Sequence, residues 1–246
     1  MVMLIRSSTA ARSDATHESV ASHERPIDGD TCFVDNPLEM SRALHGDDAL
    51  SGSYVQTTNM HSRLVTVARE SEWFWSALVA VRSLNLASWC IGAGAVRNLV
   101  WDSLHDFRAA SQLSDIDVAH FDASDLSDKS DADIQRRLNR IRPNTPWEVT
   151  NQAAVHTWFE ATFGHSVSPF ASLEDAVASW PEFATSVGLT LRKDDSIDVI
   201  APYGLDDLFA MVVRRNPARV SVETYRKRIE QKQYQRRWPR VTIVPS

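Results

Sequence analysis

Cysteine is scarce in this 246-residue chain. The two present, Cys32 and Cys90, exclude a disulfide framework and any zinc site built on paired thiolates, and both are expected to be reduced. Long hydrophobic runs are also missing. No apolar stretch approaches the roughly 20 residues of a membrane-spanning helix. The opening MVMLIRSSTAARS is too short of apolar residues for a secretory signal. A cytoplasmic protein with no membrane partner is the expectation. The histidines His105, His120, His156 and His165 lack metal-binding spacing and are expected on the surface or satisfied in the core. No internal repeat is visible.

Aromatic residues are nearly absent from one end. Residues 1–60 contain no Trp and only Phe33 and Tyr54, and show no sustained period of 2 or 3.6. Such a segment cannot bury enough apolar area to offset its chain entropy. It is expected to be a mostly disordered extension with a short helix near 37–44, leaving residues 61–246 as one domain. Charge is uneven as well. The net charge is −6, yet residues 214–240 hold ten Lys or Arg against Glu223 and Glu230. That leaves a local +8 facing a remainder of −14. The basic segment reads either as a solvated helix or as a positive wall towards a polyanion such as a triphosphate. Because the remainder is acidic, a long nucleic acid is not expected as partner.

From residue 64 onward, helical and strand-like periods alternate. A helical stripe runs through Leu64, Val67, Phe74, Leu78 and Val81, followed by a buried strand in LASWCI and a helix in AVRNLVWDSLHDF. DIDVAHF is a strand, DADIQRRLNRI a helix ended by Pro143, WEVTNQ a strand and AAVHTWFEATFG a helix. SLEDAVASWPEFATSVG is expected as a helix with a Ser172/Asp175 capping box, stopping at Gly188. LTLRKDDSIDVIAP is a hairpin, and GLDDLFAMVVRRN and VSVETYRKRIEQKQYQRRW are expected as two C-terminal helices. The fold class that follows is α+β.

Three pieces can carry chemistry. In IGAGAVRN, Gly94 at a helix mouth lets backbone N–H groups approach an anion, with Arg97 and Asn98 one turn further. About twenty residues on, Asp115-Ile116-Asp117 opens a strand whose alternation sends both carboxylates to one face. Two carboxylates so close resist joint ionisation unless a cation lies between them. Hard oxygen donors with no His or Cys beside them suit Mg²⁺, or Mn²⁺ in its place. In PWEVTNQ, Glu148 has the parity to join them from a neighbouring strand, and Asp198 in SIDVIAP is the alternative third ligand.

These blocks resemble the nucleotidyltransferase superfamily of DNA polymerase β and the tRNA nucleotidyltransferases. Ala93-Gly94-x-Val96-Arg97-Asn98 is similar to the Gly-Gly-x-Val-Arg-Asp entry of the tRNA-type enzymes, departing from it at Ala93 and Asn98. IGAGAVRNLVWD, DIDVAHFDASD, WEVTNQAAVHTWF, SWPEFATSVGLTL and IAPYGLDDLFAMVVRRNP look like the blocks of a bacterial nucleotidyltransferase-like family. The resemblance implies a polymerase β-like core, a short mixed sheet flanked by helices, with C-terminal helices. It implies that Asp115, Asp117 and Glu148 are catalytic and bind the metals, and that an NTP gives its nucleoside monophosphate to an acceptor with release of pyrophosphate. The acceptor class stays open between small molecule, protein and RNA. By the same resemblance Gly94, Arg97 and Asn98 contact phosphate, Asn151 contacts sugar or base, and Arg214, with Arg215, reaches the triphosphate. Two other readings remain: a non-catalytic nucleotide-binding or antitoxin-like module of the same fold, and a glycosyltransferase using its Asp-x-Asp motif.

Overall fold

The computed structural model of the chain describes residues 47–218 and 220–246, with side chains from residue 59 onward. The helix expected near 37–44, and Cys32, lie outside the described residues. The first helical stripe is two helices, α1 (Asp47–Glu70) and α2 (Glu72–Arg82), parted at Ser71, whose extended backbone (φ −84°, ψ 105°) opens the second. α1 runs unbroken across position 60. Among the described residues no helix is long and apolar enough to cross a membrane.

The core alternates as its periods indicate: β1 (Trp89–Gly92), α3 (Ala93–Leu104), β2 (Ile116–His120), α4 (Asp128–Ile141) and β3 (Trp147–Asn151). There follow a 3-10 turn, α5 (Val155–Phe163), α6 (Leu173–Ala178), β4 (Gly188–Leu191) and β5 (Ile197–Ile200). The five strands make one mixed sheet in the order β3-β2-β1-β4-β5, with only β2 and β3 parallel. A parallel pair needs a long crossover, and α4 supplies it. Ile116, Val118, Trp147 and Val149 turn to the main core with Ile91, Leu189 and Leu191. On the other face Cys90 and Ala119 pack with Leu173, Val177 and Trp180 around α6.

β3 is an edge strand, and α4 covers its free edge. The Gln135 side chain accepts from Val149 N (3.0 Å) and donates to the Trp147 carbonyl, while Asp131 accepts from Asn151 N (3.0 Å). Asp131 also meets His120 Nε2 at 2.8 Å, so that buried histidine is satisfied as expected. Backbone groups that would otherwise be an open pairing edge are thereby occupied.

The C-terminal third departs from the helical reading. α6 is capped by Ser172, which accepts from Asp175 N (3.1 Å), but it stops at Ala178 because Pro181 cannot continue it. The first C-terminal helix is a single turn, α7 (Asp206–Phe209), after which Val212–Val213 is a strand, β6. The second breaks at Gln233, left-handed at φ 50°, into α8 (Val222–Lys232) and α9 (Tyr234–Arg237). β7 (Thr242–Ile243) then pairs parallel with β6. Tyr225 anchors α8 to this ribbon, its hydroxyl 2.9 and 3.0 Å from the carbonyls of Val213 and Val244.

Where β1 meets β4, Gly92 faces Gly188. A Cβ on Gly188 would lie 2.5 Å from Cys90 Sγ, and one on Gly92 2.5 Å from the Trp180 ring. Gly188→Ala is therefore expected to lower stability by about 1–3 kcal/mol through overpacking. Adding Cys90→Ala should recover part of that loss, since the two sites share one contact. Thermal denaturation of the two single variants and the double variant checks this; equal losses with and without Cys90 would refute it.

Candidate active site

Alternation along two parallel strands brings the carboxylates together. Asp117 and Glu148 are register partners on β2 and β3, which places their backbones one strand spacing, about 4.8 Å, apart with side chains on the same face. Asp115 stands one residue before β2 and completes the row. α3 begins directly above. A Cβ on Gly94 would lie 3.9 Å from Asp115 Oδ1, 4.0 Å from Asp117 Oδ2 and 3.6 Å from Arg97 Nη2. The glycine therefore brings a helix N-terminus and its first arginine against both aspartates. Ala93 enters that helix at φ 49°, a left-handed conformation that costs an alanine about 1 kcal/mol. Asp198, the alternative third ligand, lies on β5, three strands from β2, and pairs with Arg192. It does not belong to the site.

The carboxylates are short of partners. Asp117 is 5% exposed and its Oδ1 has no hydrogen-bond partner among the described residues; the same holds for Glu148 Oε1. Burial, then the charge of Asp115, pushes Asp117 up to about 6. Burial, then Asp117 and Asp115, pushes Glu148 up to about 8. The countercharges are Arg97, Arg228 and Lys232. Arg97 is 3% exposed. It sits 5.2–5.6 Å from the ring centroids of Trp101, Tyr234 and Trp238, and its Nη2 donates to Asn98 Oδ1 at 2.7 Å. Its Nε and Nη1 have no partner among the described residues. Arg228 and Lys232 approach from α8 and hold Asp117 down against the larger upward pull of burial. Lys232 is itself lowered by burial and by Arg228 and Arg97.

Three of the residues expected to contact the nucleotide are engaged elsewhere in the structure. Asn98 is buried and serves as the acceptor that orients Arg97. Asn151 has no capacity left for a nucleotide. Its Oδ1 accepts from Asp122 N and Ala153 N, and its Nδ2 donates to the carbonyls of Asp122 and Asp125, which exhausts the amide. It pins the loop after β2. Arg214 follows a strand rather than ending a helix, and makes two hydrogen bonds to Asp207 (3.0 and 3.2 Å); Arg215 donates to the Val220 carbonyl. Arg228, Lys232 and Glu182 were not singled out by sequence reasoning. The only signal was the four-residue spacing that puts Arg228 and Lys232 on one helix face.

No three His, Cys, Asp or Glu side chains among the described residues close around a point suited to one metal ion. The carboxylates stand side by side along two strands. That disposition suits ions taking one or two protein oxygens each and completing their shell from ligand phosphates and water. The donor chemistry fits Mg²⁺ or Mn²⁺: the orphaned atoms are carboxylate oxygens, and Cys90 beneath them is held as a thiol, pushed up by burial and by Asp117. Two clefts, of about 760 and 600 Å³, lie along α1 and β5 and at the Trp89 end of the sheet; neither is lined by these carboxylates.

The nucleotidyltransferase family model matches residues 79–243. An NMR structure described as revealing a CCA-adding enzyme head domain is 29% identical with a TM-score of 0.63, covering 75% of this chain and 96% of that one. A CCA-adding enzyme in complex with CTP matches at 12% identity and a TM-score of 0.45, over 74% of this chain and 43% of that one. A tRNA-processing enzyme matches at 14% and 0.41, over 76% and 44%. Compared against curated proteins, the chain finds no match. The chain belongs to the nucleotidyltransferase family and is an enzyme of that class.

Raised carboxylates make metal-free stability fall as pH rises. A carboxyl whose folded value exceeds its unfolded one stabilises fully below the unfolded value and ceases to do so as pH climbs through the folded value. For Asp117 that window runs from its ordinary 3.8 to about 6, and for Glu148 from 4.5 to about 8. In EDTA the unfolding free energy should decline across pH 4–8, and Asp117→Asn should flatten the decline by about 3 kcal/mol. A profile that Asp117→Asn leaves unchanged would refute the crowding.

Proposed function

We propose that the chain transfers a nucleoside monophosphate from an NTP to an acceptor hydroxyl or amine and releases pyrophosphate, with Mg²⁺ or Mn²⁺ held by Asp115, Asp117 and Glu148. The observation that supports this reading is the meeting of Asp115 and Asp117 with the α3 N-terminus at Gly94, beside buried guanidiniums that keep unpartnered N–H groups among the described residues. Bound there, the metal would neutralise the carboxylates and the phosphate charge that develops during displacement. Gly94 opens the backbone of α3 to the phosphates, and the helix dipole favours their charge. Arg97, fixed by Asn98 and three rings, offers Nε and Nη1 to phosphate oxygens.

In the reaction the acceptor oxygen or nitrogen forms a bond to the α-phosphorus. The bond from that phosphorus to the oxygen bridging the α- and β-phosphates breaks in line, and the electron pair leaves with pyrophosphate. Glu148, on the neighbouring strand, takes up the acceptor proton. The non-catalytic alternative loses ground because all three carboxylates and Gly94 stand together, and family membership sets the nucleotide-sugar reading aside. The CCA-adding head domain keeps RNA among the candidate acceptors, beside small molecules and proteins.

A panel of α-phosphate-labelled NTPs with Mg²⁺, scored by thermal shift and label transfer, should show binding of at least one nucleotide. Asp117→Asn and Glu148→Gln should each lower transfer by about 10²–10⁴-fold while the fold persists. Transfer that survives Asp117→Asn would sink this assignment.

A further inference from the structure

Among the described residues, Glu182 is the most deeply buried carboxylate outside the row on β2 and β3, at 1% exposed. It lies between α6 and β4, and both its oxygens are occupied. Arg228 Nε and the Tyr234 hydroxyl (3.1 Å) donate to Oε1, and the Thr185 hydroxyl donates to Oε2 at 2.8 Å. Burial alone would raise this acid, but the charge and hydrogen bond of Arg228, the Thr185 bond and the charge of Arg97 hold it down to about 2.

Its partner is not satisfied. Arg228 is 5% exposed, and its Nη1 is buried with no hydrogen-bond partner among the described residues. A pair present only for stability would leave neither side wanting, since a buried unpaired N–H costs about 1–3 kcal/mol. Here the carboxylate is complete and the guanidinium is not. Arg97 shows the same deficit at Nε and Nη1, and it is tied to the pair through Tyr234, whose ring lies 5.2 Å from the Arg97 guanidinium and whose hydroxyl bonds Glu182. Lys232 lies one turn beyond Arg228 on the same face of α8, within electrostatic reach of Asp115 and Asp117. Three cations from two helices, two of them with vacant donors, thus converge beside the carboxylate row. Vacant donors on buried guanidiniums call for an anion with several oxygens.

We propose that Glu182 is a positioning residue: it holds Arg228 so that its free Nη1, together with Arg97 and Lys232, receives the polyphosphate tail of the nucleotide. The inference rests on the transfer reading above for the identity of the ligand, and adds how the site is held. Glu182 touches no phosphate. It fixes the direction of the guanidinium and compensates its charge, and through Tyr234 it steadies the ring cage around Arg97.

The test is calorimetric titration of the full chain with inorganic tripolyphosphate in EDTA, which removes both nucleoside and metal from the question. Wild type should bind. Arg228→Lys keeps the charge opposite Glu182 but lacks Nη1, and should bind about tenfold more weakly, the loss of one charge-assisted hydrogen bond. Glu182→Gln should weaken binding similarly and melt at lower temperature, because it strands a buried cation. The double variant Glu182→Gln/Arg228→Gln should melt above Glu182→Gln yet stay weak in binding, an outcome that a purely structural pair would not give. The proposal is overturned if wild type binds no tripolyphosphate, or if Arg228→Lys or the stabilised double variant binds within about twofold of wild type. Those results would leave NTP transfer standing. Conversely, a chain that moves no labelled nucleoside monophosphate with any NTP would remove the transfer reading while an Arg228-dependent anion site remained.

Discussion

The site answers to one electrostatic demand: three carboxylates share one face, Asp117 buried and Asp115 and Glu148 half-buried beside it. Asp115, Asp117 and Glu148 are brought there by strand alternation alone, without a hydrogen-bonding partner for Asp117 Oδ1 or Glu148 Oε1 among the described residues. An isolated buried ion is costly by several kcal/mol, so the fold must deliver opposite charge to the same place. It does so from two directions. α3 brings Arg97 directly from the strand-to-helix turn at Gly94, and α8 returns from the far end of the chain with Arg228 and Lys232.

Each cation then needs support of its own. Arg97 is caged by Trp101, Tyr234 and Trp238, and two of those rings are pinned through their indole N–H, Trp101 to the Leu208 carbonyl and Trp238 to Asp102. Arg228 leans on Glu182, which sits in the loop between α6 and β4. The short β6–β7 ribbon and Tyr225 hold α8 at the required distance. The C-terminal segment thus brings cations to the carboxylates while its aromatic residues Tyr225, Tyr234 and Trp238 also belong to the main core.

What could be read from the sequence followed from local rules. Period-2 alternation fixed the face of Asp117 and the parity of Glu148, and a glycine between strand and helix marked the anion-facing turn. Partners far apart in sequence left no such mark. Nothing local ties Glu182 to Arg228, 46 residues on, or shows that Asn151 has spent its amide on the loop at Asp122. Helix lengths were overestimated where apolar spacing continued past a break, at Pro181 and at Gln233, since periodicity does not register a backbone that has changed direction. Arg214 was sought at the triphosphate because it is basic, whereas a carboxylate seven residues earlier already holds it.

The cover that α4 lays over β3 has a meaning beyond closing an edge. Gln135 and Asp131 bind backbone groups of Trp147, Val149 and Asn151. A slip of one residue would turn Glu148 into the core and bring Val149 to the aspartates. α4 thus sets the register of β3 through that strand's main chain, while Asp131 also holds the His120 side chain and Ile134 and Leu138 pack in the core with Trp147 and Val149. The place of Glu148 in the sheet is thereby set by bonds to the main chain of its neighbours and not by its own carboxylate.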